Sequence, residues 1–64
     1  MLMPMKDRYK VIVEYWFQTD ETNVERDYCD IEIDMPAGDV PKVGDESSQG
    51  KIVKVIGFVN QVVA

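Results

Sequence analysis

From Asp30 to Met35 the chain alternates a carboxylate with an apolar side chain for three cycles, Asp30-Ile31-Glu32-Ile33-Asp34-Met35, and Pro36 then stops the pattern. A strict two-residue period reads as a β-strand, because successive side chains leave opposite faces of a pleated backbone. One face of this strand is apolar (Cys29, Ile31, Ile33, Met35) and the other is acidic (Asp30, Glu32, Asp34). The remainder of the chain has to cover the first face and leave the second in water.

Residues 9–17 supply a candidate cover. Tyr9, Val11, Val13, Tyr15 and Phe17 share one face of a strand, with Lys10, Ile12, Glu14 and Trp16 on the other. Aromatic and β-branched residues favour a pleated, half-buried surface over a helix. The second face is not cleanly polar, so Ile12 and Trp16 call for cover from a later strand or from a partner. The polar run at residues 19–23 reads as a hairpin loop, and residues 24–35 as the antiparallel second strand. Twelve residues is long for a strand, and a bend or bulge is expected near Asp27.

Pro36-Ala37-Gly38-Asp39 reads as a turn, residues 40–45 as a short extended piece, and Glu46-Ser47-Ser48-Gln49-Gly50 as a loop. Residues 51–63 are the most apolar stretch, with Gly57 in the middle. They read as a strand buried on both faces, or as two short strands meeting at a glycine bend. No segment has a 3.6-residue period. The expected fold is all-β: one domain over residues 1–64, a small antiparallel sheet or partly open barrel of four to five strands. Residues 1–7 are read as a frayed or edge segment.

A chain of 64 residues hides only about 60% of the surface its unfolded form exposes, so it needs help to be stable. An intrachain disulfide is excluded by the single cysteine, Cys29, and a histidine-containing zinc site by the absence of histidine. Self-association remains, and a homodimer is the expectation. Cys29 lies on the apolar strand face, where a thiol acts as a small hydrophobe, and this suits a reducing compartment. Asp27 and Asp30 beside it would discourage a reactive thiolate. Met1-Leu2-Met3-Pro4-Met5 lacks a basic leader and is not read as a signal peptide, and no apolar run approaches a membrane span. The reading is a cytosolic protein.

The net charge is −5, and it is concentrated. Residues 20–46 hold ten acids against Arg26 and Lys42. Such a field repels nucleic acid and membrane surfaces and attracts a basic protein surface. Catalysis is not expected: there is no histidine, and no serine or cysteine sits beside a plausible base. Asp30-x-Glu32-x-Asp34 has the spacing that opens a calcium loop, but Met35 stands where the sharp-turn glycine belongs, and the strand explains the acids better. No metal or cofactor is expected.

The candidate partner-binding residues are Asp20, Glu21, Asp30, Glu32, Asp34 and Trp16. Carboxylates at every second residue of a strand recur about every 6.6 Å, a spacing commensurate with phosphates along a nucleic-acid strand. The row, extended by the loop acids Asp20 and Glu21 or by Asp39, Asp45 and Glu46, would then occupy a basic groove built for DNA or RNA. The competing explanation is a charged face that keeps an edge strand soluble. Trp16 is a candidate anchor for a partner, although a lone tryptophan in a small β protein is more often a core residue.

Pro41-x-x-Gly44-Asp45, a short polar loop, and Gly50-Lys51-Ile52-Val53-Lys54-Val55-Ile56 together resemble the rhythm of small SH3-like barrels, including short proteins of phages and mobile elements. This covers 16 of the 64 residues and implies a tight turn at Gly44, an aspartate bonded to that turn, and a hairpin into a core strand. In size, acidity and lack of catalytic groups the chain also resembles small anti-CRISPR proteins. That resemblance implies an inhibitor that blocks a nucleic-acid-binding effector, a CRISPR complex for instance, in the host cytoplasm. The alternative is a non-catalytic SH3-like structural or adaptor module of a phage or bacterial assembly.

Overall fold

A computed structural model describes residues 4–63. Four strands form a single antiparallel sheet: β1 (Met5–Gln18), β2 (Val24–Pro36), β3 (Glu46–Ser47) and β4 (Gly50–Val63). Their order is β2-β1-β4-β3, and the sheet curls into a half-barrel. The all-β reading therefore holds. Among the described residues no helix is long and apolar enough to cross a membrane.

β1 and β2 pair without a register shift from Lys6 opposite Pro36 to Gln18 opposite Val24, closed by the loop at residues 19–23. No bulge interrupts the pairing near Asp27, the place expected for a bend or bulge. β2 is an edge strand with β1 as its only neighbour among the described residues, so nothing there forces it to break step. The irregularities fall in β4, whose register against β1 shifts three times and passes over Val53, Ile56 and Val59. Each extra residue bends the strand and raises its twist, which curls the sheet.

These shifts give β4 a three-residue rhythm. Ile52, Val55 and Phe58 lie opposite the inner-face residues Val13, Val11 and Tyr9, while Lys51, Lys54 and Gly57 lie opposite the outer-face residues Glu14, Ile12 and Lys10. The expectation that this stretch is buried on both faces is corrected. Ile52 is buried, whereas Ile56, Phe58, Val59 and Val63 are exposed. Nor does the chain break at Gly57, since β4 is one strand.

The inner face carries the core. Val11, Val13 and Ile52 are buried, with Tyr9, Cys29, Ile31, Ile33 and Val55 packed against them. The segment expected as a short extended piece is instead a strap at residues 37–45 that runs back across this face. One end is fixed where the Gly38 N–H donates to Asp7 Oδ2 at 3.1 Å. At the other end the Gly44 N–H donates to the Ile52 carbonyl and the Ile52 N–H to the Asp45 carbonyl, both at 2.8 Å. Between the two, Pro41 is buried. β3 falls within what read as a loop, because two residues after the Asp45 bond suffice to pair with Gly50 and Lys51.

The turn itself has the expected chemistry. Gly44 sits at φ 99°, a conformation only glycine adopts freely, and Asp45 Oδ2 accepts the Lys42 N–H at 3.3 Å. Residues 5–7 are not a frayed segment but the start of β1: Met5 pairs with Val63 of β4, and Lys6 and Asp7 pair on both sides. Asp7 is 9% exposed and also accepts a hydrogen bond from Gln61 Nε2 at 3.1 Å, so it ties β1, the strap and β4 together. Residues 1–3 of that expectation lie outside the described residues.

Candidate interaction surface

The outer face of β1 and β2 is where the sequence placed its acids, and the hairpin register decides what they meet. Arg8 lies opposite Asp34, Lys10 opposite Glu32 and Ile12 opposite Asp30. A basic row on β1 therefore runs beside the acidic row on β2. Arg8 grips Asp34 with both arms of its guanidinium, Nε to Oδ1 at 2.8 Å and a terminal nitrogen to Oδ2 at 3.3 Å. Lys10 reaches diagonally to Asp30 Oδ2 at 3.3 Å. Hydrogen bonding from Arg8 holds the Asp34 carboxyl below its ordinary value, and Lys10 does the same for Asp30. Glu32 has no cation within 4.0 Å among the described residues.

Asp20 and Glu21 are elsewhere, in the loop at the far end of the hairpin. Asp20 is occupied by the loop's own backbone: its Oδ1 accepts the N–H groups of Thr22 and Asn23 at 2.8 and 2.9 Å. Those bonds lower its pKa, the Thr22 N–H contributing most. The six predicted residues thus do not form one surface. Asp30, Glu32, Asp34 and Trp16 share a strand face, while Asp20 and Glu21 cap its end.

Trp16 is not in the core. The pairing of β1 with β4 starts at Glu14 opposite Lys51, so, among the described residues, 15–18 and 24–27 pair only with each other and project beyond the sheet as a two-stranded ribbon. On this ribbon Trp16 is 61% exposed. The Arg26 guanidinium lies 5.7 Å from the centres of both the Trp16 and Tyr28 rings, within range of a cation–π contact. Toward the body of the sheet, Lys10, Ile12, Tyr28, Asp30 and Ile56 line a shallow depression of about 470 Å³. An apolar stripe, Trp16 to Tyr28 to Ile12 to Ile56, therefore runs along the outer face with ion pairs beside it.

On the reverse of the ribbon Tyr15 and Phe17 stack loosely, their centres 6.0 Å apart. The nearby Asp27 carboxylate raises the Tyr15 pKa. Arg26 and Tyr28 were not singled out from sequence, although both lie on Trp16's face once the hairpin is closed over five residues. Ile56 carried no such signal, because it lies where β4 slips against β1.

A second cleft, of about 430 Å³, opens between β2 and the strap, with Met35, Pro41 and Ile52 among its apolar walls and Glu32, Asp34, Asp45 and Glu46 at its rim. Among the described residues no three acidic or cysteine side chains gather as ligands for a metal ion. Cys29 is half-buried against the core.

Comparison with protein-family models, with curated proteins and with solved structures finds no match.

Proposed function

We propose that this protein is a non-catalytic binding module that holds a protein partner on its outer face, with the projecting ribbon as its main contact. The observation carrying this reading is the exposure of Trp16 at 61% on a two-stranded arm, next to Arg26 and Tyr28 and continuous with Ile12 and Ile56. Tryptophan, tyrosine and arginine are the residue types that dominate binding energy at protein interfaces. A basic rim on the partner suits the tip, where Asp20, Glu21, Glu25 and Asp27 outnumber Arg26. An adaptor role in a larger assembly follows from this chemistry.

The inhibitor reading, in which carboxylates stand in for phosphates in a nucleic-acid-binding effector, is favoured by a different observation. Glu32 and the tip acids Asp20 and Glu21 have no ion-pair partner within 4.0 Å among the described residues. Against it, Arg8 and Lys10 already neutralise Asp34 and Asp30.

Capture from a bacterial lysate separates the two, using wild type, Trp16→Ala, Ile12→Asn and the pair Asp30→Asn with Glu32→Gln, at low and high salt. For a binding module, one identified protein is lost with Trp16→Ala or Ile12→Asn and is retained with the acid substitutions. For a phosphate substitute, a nucleic-acid-binding complex is lost with the acid pair and in high salt, since such contacts are screened. Retention that no variant changes would sink both.

A further inference from the structure

Past Ile52, the side of β4 turned away from β1 has no neighbour among the described residues. β3 pairs only with Gly50 and Lys51, and the strap adds its bonds to Ile52. Residues 53–63 thus present an open row of backbone donors and acceptors, about 36 Å long at roughly 3.3 Å per residue. Open edges are ordinarily kept short or guarded by charges, proline or bulges, and of these the stretch has the bulges that pass over Val53, Ile56 and Val59. This stretch has no proline, Lys54 is its single charge, and Ile56, Phe58, Val59 and Val63 are 44–56% exposed.

We propose that this edge pairs with the same edge of a second copy of the chain, antiparallel, about a two-fold axis near Phe58. Charge selects it over the other open edge. β2 carries Asp27, Asp30, Glu32 and Asp34, so β2 against β2 would set acids beside acids, whereas β4 against β4 about Phe58 sets Lys54 opposite Val62 and brings no like charges together. Length also fits. With Phe58 at the centre the open stretch extends five residues each way, so the incoming strand ends where the β3 hairpin begins to occupy the edge.

The chain exposes 4816 Å², against about 4,200 Å² for a compact protein of 7.3 kDa. The excess of roughly 600 Å² belongs to an elongated molecule, 54 Å in its longest extent, to which the Trp16 ribbon also contributes. Two half-barrels joined along β4 would continue each other's curl and leave both Trp16 ribbons free.

Sedimentation equilibrium of the full chain, from low micromolar to millimolar, tests this alongside amide hydrogen exchange at both extremes. The expected result is a mass rising from one chain to two, with exchange within residues 53–63 slowed by about tenfold or more at high concentration and exchange in β2 unchanged. Val59→Lys puts a charge on a residue that has no β1 partner, and it should raise the dimer Kd by about tenfold or more. A single mass throughout overturns the proposal. So does a dimer protected along β2 instead of β4, or one whose Kd ignores Val59→Lys in a variant that circular dichroism shows to be folded. Should that variant not fold, exchange in the wild-type chain decides alone.

Discussion

Asp20 and Asp34 show how one residue type takes two structural roles in this chain. Asp20 closes the β1–β2 loop by accepting backbone N–H groups, and Asp34 locks the two strands through Arg8. Both carboxyls titrate below their ordinary value in the folded protein. A depressed folded pKa contributes stability that is present above the unfolded value, near 3.9, and is lost as pH falls through the folded one. Melting temperature should therefore hold from neutral pH down to about pH 5 and fall below about pH 4, and Asp20→Ala should flatten part of that fall. A melting series against pH checks it. Gly50 raises a different constraint: a Cβ there would run into the Glu14 carbonyl oxygen, which belongs to the central strand and cannot swing away. Gly50→Ala should cost about 1–3 kcal/mol in urea unfolding, the range for a strained backbone site.

The β1–β2 hairpin was legible from the residues because its period is two and its loop has five polar members. Closing the chain over residues 19–23 sets Trp16 against Arg26 and Arg8 against Asp34, so even the ion pairs follow once the register is fixed. Reading β2 alone missed this, since an acidic row looks free until its neighbour is laid beside it. β4 was not legible in the same way. Three bulges replace alternation with a step of three, and a run of valine and isoleucine with that step imitates a strand buried on both faces. The ribbon's separation from the core leads to an expected outcome for this element. Trp16→Ala should leave stability within about 0.5 kcal/mol of wild type, as exposed substitutions do, while abolishing capture of the partner. A large loss of melting temperature in that variant would show that Trp16 supports the fold after all.

A half-barrel whose buried apolar side chains among the described residues are Val11, Val13, Ile52 and Pro41 has little stability to spare. At roughly 0.05–0.15 kcal/mol per residue, a chain of this length should be stable by about 3–10 kcal/mol. Ile52 touches every part of that margin: it lies opposite Val13 on β1, bonds the strap through its own N–H and carbonyl, and walls the cleft behind Pro41. Trimming it to alanine removes a buried side chain at the crossing of sheet and strap, a change worth about 2–5 kcal/mol in well-packed cores. Ile52→Ala should consequently be largely unfolded at 37 °C when dilute, which far-ultraviolet circular dichroism reads directly. Because a partner that binds only the folded state adds stability by mass action, the same variant should regain structure as its concentration rises if β4 edges pair. No recovery with concentration would mean that the small core stands alone and that the open edge is left to solvent.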